Sequence, residues 1–394
     1  MLDGHRANAD QPELEKERAV THRALFVDHC TPSPNEDAGS LVAFEIMQAF
    51  IANGYKITFI PEDNFAHVGA QTRDLQRLGI EAIYHPFYSR MPAFLGTRRD
   101  RYDVIFLHRF GVADTHMDAL RRAYPDARVI FLNADLYHLR QMRQAELDGD
   151  KQAQASAEQT RTRELRVIAA ADVALVHSDH EQALLQQALP AANIVLFPLI
   201  HDPAQQVPGP ACREGVCFVG GFRHPPNADG IRWFVDAVWP RVLDAMPLAQ
   251  LYIVGSHVTA EVEALANTRG VKVIGYVEDL DAFLDQRRLT VAPLRYGAGA
   301  KGKVAGSLAQ GVPVVCTPVA AEGMGLEPGL NVLVGATPEG LAEHVVALLV
   351  DDERWQRLSA AGLTYARAVT SRASAHQRIR DLLDPGAIPD KAGI

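Results

Sequence analysis

Short uncharged runs rich in Val, Ile, Leu and Phe recur along this chain, each followed by a stretch with helical spacing, and the alternation halts and restarts once. Strands buried on both faces read as such runs, and strand–helix alternation builds a parallel sheet covered by helices. In the first half the strand-like runs are Arg23 to His29, Tyr55 to Ile60, Glu81 to Tyr84, Asp103 to Leu107, Arg128 to Leu132, Asp172 to Val176 and Ile194 to Phe197. A helix is predicted to open at Asp37-Ala38-Gly39-Ser40 and to stop at Asn53-Gly54, another near Val68 to Leu78, and a long polar one through Gln154 to Ala169. His201 to Glu214, HDPAQQVPGPACRE, has prolines and no period, so it reads as a linker. Strands then resume at Val216 to Val219, Leu251 to Val254, Val271 to Ile274, Thr290 to Ala292 and Val312 to Cys316, with a helix over Ala228 to Leu243 and successive helices from Glu339 to Leu383. The pattern predicts two Rossmann-like, doubly wound α/β domains at 23–200 and 215–384, with the last helices of the second packing back on the first. A linker (201–214) joins them, and a polar leader (1–22) and a short tail (385–394) are expected to be disordered.

Bulk properties then narrow the function. A chain of 394 residues exceeds one ordinary core and suits two domains. A net charge of −9 argues against a nucleic-acid binder, which needs a basic field, but leaves room for a local phosphate pocket. The leader has no apolar segment of a secretory signal, and no uncharged run reaches the roughly 20 residues that span a bilayer. A cytoplasmic protein is expected, with any membrane contact peripheral, at the inner face. Cys30, Cys212, Cys217 and Cys316 lack zinc-site spacing and read as reduced, mostly buried thiols. No metal is expected. GxSxG, HExxH, Walker A and the dinucleotide GxGxxG after the first strand are all absent.

Ligands of open parallel sheets bind at the carboxyl ends of strands, against helix N-termini. Four loops there have suitable composition. Pro293 to Gly311, PLRYGAGAKGKVAGSLAQG, carries Gly297, Gly299 and Gly302 before a helix, with Lys301 and Lys303 to add charge beside its N-terminus. An ordinary strand-to-helix turn with solvated lysines is the competing reading. The lysines lie two positions apart, on different helix faces, so one is expected to face a ligand and the other solvent. Val219 to Asn227 places Arg223 after Gly220-Gly221, where a guanidinium can clamp a diphosphate; a surface arginine is the alternative. Asp28 to Ser40 brings Gly39 to a helix start, and His108 ends a buried strand, where a lone histidine is more often a satisfied structural residue.

Three blocks, GVCFVGGFRHPPNADGIRWF, GYVEDL and APLRYGAGAKGKVAGSLAQGVPVVCTPVAAEGM, resemble in order and spacing the donor domain of retaining GT-B glycosyltransferases of family 4. The first half is similar more loosely, through PNEDAGS, IANGYKITFI and YDVIFLHR. The resemblance implies a GT-B fold, with two domains facing a central cleft. It implies that Arg223 binds the donor diphosphate, that Gly39 approaches the phosphate from the first domain and that His108 is directed at the donor sugar. Tyr276, Val277 and Leu280 lie where the nucleobase is held. The family's second basic group has no counterpart at Asn227, and Lys301 or Lys303 is expected to take over that charge. Two glutamates eight positions apart, one for the sugar and one for the ribose, are replaced by Ala298 and Gly306. Glu322, just after the next strand, is the nearest carboxylate.

The resemblance thus implies transfer of a sugar from a nucleotide-sugar donor to a glycan or lipid-linked glycan acceptor, with retention and without a metal or other cofactor, in polysaccharide or surface-glycan assembly. His108, Arg223 and Lys301 would act in catalysis. Gly39, Arg223, Tyr276, Val277, Leu280, Gly299, Lys301, Lys303 and Glu322 would hold the donor. Two alternatives stand beside it: a non-catalytic glycosyltransferase-like binding partner, favoured by the missing glutamates, and a GT-B epimerase acting on the sugar-nucleotide itself.

Overall fold

The computed structural model describes residues 20–35, 38–63, 65–98 and 101–384. Most of the leader, the tail and Asp37 of the first helix start lie outside the described residues. Seven parallel strands form the first sheet: β1 (His22–Asp28), β2 (Tyr55–Pro61), β3 (Glu81–Ala82), β4 (Val104–His108), β5 (Arg128–Asn133), β6 (Val173–Val176) and β7 (Ile194–Leu196). Six more form the second: β8 (Glu214–Val219), β9 (Leu251–Val254), β10 (Val271–Gly275), β11 (Arg287–Ala292), β12 (Val314–Cys316) and β13 (Leu333–Val334). Their orders, β3-β2-β1-β4-β5-β6-β7 and β10-β9-β8-β11-β12-β13, reverse direction between β1 and β4 and between β8 and β11. A crevice opens at such a reversal, so the loops after β1, β4, β8 and β11 are placed to meet a ligand.

The central strands are apolar runs of the sequence, buried on both faces, whereas edge strands such as β10 and β3 are only partly covered. Phe26 of β1 stacks on Phe106 of β4 at 4.7 Å, and Phe50 of helix Ala38–Ala52 meets Phe26 edge-on at 5.0 Å. Such aromatic pairs add about 0.5–1.5 kcal/mol each beyond their burial.

Several elements differ from expectation. The long polar helix expected through Gln154 to Ala169 runs unbroken as Lys151–Ala170, capped by Asp150; a separate helix that was not expected, Tyr137–Asp148, precedes it and ends at Gly149, which takes a left-handed conformation (φ +68°). The helix expected over Ala228 to Leu243 runs as Pro225–Trp233 and Trp239–Ala245, joined by a wide turn at Phe234–Val238 just before Pro240, whose ring cannot continue the regular ladder. Helix Phe110–Ala123 and the two-residue β13 have no counterpart in the reading above. Cys217 and Cys316 are buried as expected, whereas Cys30 is half-buried and Cys212 exposed.

The last described helix packs back on the first domain, as expected. Helix Arg372–Leu383 buries Ala375, Ile379 and Leu382 in the cluster that holds Phe26, Ile46 and Phe50, and the Arg372 guanidinium grips both oxygens of buried Glu45 at 2.6 and 2.8 Å. No described helix is long and apolar enough to cross a membrane.

Candidate functional site

The carboxyl edges of the two sheets face each other, and the two domains are in close contact there. A Cβ on Gly302, the first residue of helix Gly302–Ala309, would come within 2.8 Å of the Ala38 Cβ that begins helix Ala38–Ala52. Gly39 lies beside that contact. Two helix N-termini, each with unsatisfied N–H groups, therefore meet at one point, one from each domain.

On the first domain, His108 closes β4, wholly buried. Its Nδ1 lies 2.9 Å from Asp28 Oδ2 at the end of β1, and Arg109 Nε donates to Asp28 Oδ1 at 3.1 Å. Burial alone would raise the Asp28 carboxyl; His108, Arg109 and the His29 N–H outweigh it and hold it below the usual value. An ionised Asp28 keeps the proton of a neutral His108 on Nδ1, which leaves Nε2 as an acceptor. That Nε2 is buried and has no protein partner among the described residues. Arg109 itself sits at φ +74°, a strained conformation that costs about 1–3 kcal/mol and persists where the surroundings fix it.

On the second domain, Arg223 follows β8 and is exposed, with no side-chain bond among the described residues. His224 beside it is exposed by its surface area, yet desolvation together with Arg140, Lys303 and Lys301, against Asp135, pushes its imidazole down to about 4. The two lysines do not divide between ligand and solvent as expected, since helix Gly302–Ala309 points both inward. Lys301 is its N-cap and is buried; its ammonium donates to the carbonyls of Ala298 (3.2 Å) and Gly299. Burial pushes it down to about 8, against the pull of Glu181 and Glu322. Lys303 donates to Asn227 Oδ1 and lies 4.7 Å over the Phe218 ring. Asn227 is held for this by its own Nδ2, which donates to the Gly221 carbonyl at 2.8 Å. Burial and Lys301 push Lys303 down to about 7, and no carboxylate offsets them. The second cation thus stands against Asn227 in space although it lies far from it in sequence.

The glycine loop is held by the first domain. Gly299, at φ +68°, donates its N–H to Glu181 Oε1 at 2.7 Å, and a Cβ there would come within 2.9 Å of Asp135. The Lys301 N–H reaches Met324 Sδ at 3.4 Å. The Gly299 amide, expected at a phosphate, is taken up by a carboxylate, so the amides at the start of helix Gly302–Ala309 are those left for an anion. Arg143 donates to the Gly297 carbonyl at 2.8 Å and binds both oxygens of Glu322 at 2.8 and 3.0 Å. Glu322, expected to stand in for a missing glutamate, is instead half of an ion pair across the cleft. Position 306 faces the linker, since a Cβ on Gly306 would lie 3.4 Å from His201 Cε1. At the far edge, after β10, Tyr276 is 52% exposed while Val277 and Leu280 pack against Cys217, Val254 and Leu284. A cavity of about 700 Å³ between Leu199, Ala300, Met324 and Tyr365 contains none of the predicted site residues.

Asp28, Arg143 and Glu181 were not singled out in the sequence. Glu181 in particular is disguised: Ser178-Asp179-His180-Glu181 has the spacing of a capping box, and Ser178 Oγ does accept the Glu181 N–H at 3.3 Å. Its carboxylate turns away from the cap, to Leu136 and Gly299. Nothing local signals that turn.

Residues 213–351 match the family model described as Glycosyl transferases group 1. A Klebsiella pneumoniae protein described as an uncharacterized 44.6 kDa protein in the cps region is 26% identical over 139 residues, which are 33% of this chain and 36% of that protein. The match therefore spans about a third of that relative's length. Sucrose-phosphate synthase from Thermosynechococcus elongatus superposes with a TM-score of 0.69 at 17% identity, covering 92% of this chain and 98% of that one. The Anabaena protein HepE, in complex with UDP-glucose, gives 0.69 at 14% identity, covering 92% and 99%. At these identities the structural likeness is one of fold. The chain has the GT-B fold, and its second domain matches the glycosyl transferases group 1 family in sequence.

Proposed function

We propose that this chain is a glycosyltransferase that binds a nucleoside diphosphate sugar between its domains and passes the sugar, with retention, to a hydroxyl of a glycan or lipid-linked glycan. The observation that carries the reading is the uncompensated charge at the second domain's edge. Lys303 is inward-facing, its pKa is depressed to about 7, and its partner is a neutral amide; exposed Arg223 lies on the neighbouring loop. An anion is the ligand that such a site lacks. A diphosphate would meet Arg223, Lys303 and the amides that start helix Gly302–Ala309, while Tyr276, Val277 and Leu280 would flank the base. Lys301, tied to loop carbonyls, would keep that loop in place.

As the donor's glycosidic bond breaks, negative charge collects on the leaving diphosphate, and preorganised cations lower that barrier most when water is excluded. These side chains supply that charge without a metal. His108 would accept a hydrogen bond from the sugar through Nε2, the tautomer being set by Asp28. An acceptor of surface-glycan type fits the cps-region description of the Klebsiella pneumoniae relative, with the protein acting at the inner face of the membrane.

Calorimetry and donor-hydrolysis assays with a panel of sugar-nucleotides test this. Arg223→Ala should lower nucleoside diphosphate affinity at least tenfold, since charge-assisted bonds are worth about 1.5–3 kcal/mol. Unchanged affinity would remove Arg223 from the site. The absence of carboxylates at Ala298 and Gly306, with Glu322 engaged by Arg143, favours a second reading: a binding partner that transfers nothing. Tight donor binding without hydrolysis or transfer to any acceptor would select it.

A further inference from the structure

We propose that Glu181, carried by the first domain, contacts the donor sugar in the site of the second, accepting a sugar hydroxyl at its free carboxylate oxygen Oε2. This rests on the nucleotide-sugar reading above.

Glu181 is 1% exposed. Its Oε1 accepts two backbone N–H groups, from Leu136 at 2.9 Å and from Gly299 at 2.7 Å. Oε2 is as deeply buried and has no partner among the described residues. A latch between the domains needs only the first oxygen. Buried carboxylate oxygens are costly to leave unpaired, and one that stays so marks a place where another molecule supplies the donor.

The surroundings say what kind of donor. Asp135 lies close enough to repel the Glu181 charge, and burial with that repulsion raises its carboxyl to about 7, against the two N–H groups and Lys301. A phosphate would bring further negative charge to this wall and is disfavoured there. A neutral hydroxyl is not. Its partner residue, Gly299, adjoins Ala298, one of the two positions where the resemblance places a sugar-binding carboxylate and this chain has a methyl group. The side chain absent from the loop is replaced by one that reaches the loop from the opposite domain. Two further buried, unpartnered acceptors at this edge, His108 Nε2 and Asn133 Oδ1, belong to the same domain. The geometry thus divides the ligand: anion toward Arg223 and Lys303, hydroxyls toward Glu181 and His108.

Glu181→Gln tests this, because the amide oxygen can still accept from Leu136 and Gly299 while an NH2 group replaces Oε2. Calorimetry would compare UDP, GDP and ADP with their glucose, galactose and N-acetylglucosamine esters, on both proteins. The expected result is diphosphate affinity unchanged within about twofold and affinity for the preferred sugar ester reduced at least tenfold, about 1.4 kcal/mol. Monodeoxy versions of that sugar add a second arm on the wild-type protein alone. Removal of one particular hydroxyl should cost about the same factor, and Glu181→Gln should be indifferent to that removal. Equal losses for diphosphate and ester, or wild-type indifference to every deoxy position, would overturn the proposal and leave Glu181 a latch. Wild-type protein that binds no nucleoside diphosphate at all would overturn the proposed function, and this inference with it.

Discussion

Six strands of each sheet follow one order, β7 being added in the first, and the two carboxyl edges carry different chemistry. Cations of the first domain are neutralised: Arg109 by Asp28, Arg140 by Asp135 at 2.6 Å, and Arg143 by Glu322. On the second domain Arg295 is paired in the same way, with Asp229, but Lys301 and Lys303 donate to carbonyl and amide oxygens and Arg223 stands in solvent. Equal topology does not make equal sites. An arginine already paired with a carboxylate offers an incoming anion little net attraction, whereas a buried ammonium against neutral oxygens gains a counter-ion when the anion arrives.

The largest expected effect would break the contact that brings the two edges together. Gly299→Val puts a β-branched side chain at φ +68° and a Cβ within 2.9 Å of Asp135 Cβ and 3.0 Å of the Ala134 carbonyl. Left-handed backbone alone costs roughly 1–2 kcal/mol, so the closed arrangement should lose at least ~2 kcal/mol. Denaturant unfolding would report the loss, and small-angle scattering the opening; wild-type values in both would show that the loop is not held as described.

Next in size is the uncompensated charge itself. Lys303→Met should reduce nucleoside diphosphate affinity by roughly tenfold to a hundredfold, the range of a charge-assisted bond. The neutralised pair should behave oppositely. Replacing Arg140 and Asp135 together by Gln and Asn removes no net charge and should leave that affinity within about threefold. Similar losses in the two variants, measured by calorimetry under one salt condition, would erase the distinction between the edges.

The smallest effect is in pH. Lys303 and Lys301 are depressed to about 7 and about 8 in the ligand-free protein, and a bound anion raises both. Binding then takes up protons, so affinity is highest below pH 7 and falls as pH rises through 7 and 8. Calorimetry in two buffers of different ionisation enthalpy would detect the uptake, and Lys303→Met should remove most of it. Without ligand the sign reverses. The unfolded chain keeps the lysine proton up to the ordinary 10.5 while the folded protein releases it near 7, so this group makes stability rise with pH between those values. Across that range wild type should gain stability relative to Lys303→Met as pH rises; thermal melts whose difference stays constant with pH would show the assignment wrong.

How far the sequence could be read differs between these regions for a physical reason. Strand cores such as DVIFL and RVIFL declare themselves because burial on both faces leaves no polar position, and the restart after HDPAQQVPGPACRE divides the two sheets. The helix Tyr137–Asp148 and the break before Pro240 were less legible, since a polar helix shows little apolar period and one residue's backbone preference competes with a continuous apolar pattern.

By itself the sequence determined the doubly wound class of both domains, the loops that end at the sheet edges, and the candidacy of Arg223, His108 and the two lysines. All of these follow from local composition and spacing. Only the tertiary structure decided which groups meet across the cleft: that Lys303 stands against Asn227, that Arg143 occupies Glu322, and that Glu181 holds Gly299. Those pairings join residues 76, 179 and 118 positions apart. No periodicity or motif extends over such separations; they arise when two independently patterned sheets dock edge to edge, and the chemistry of the site is set in that step.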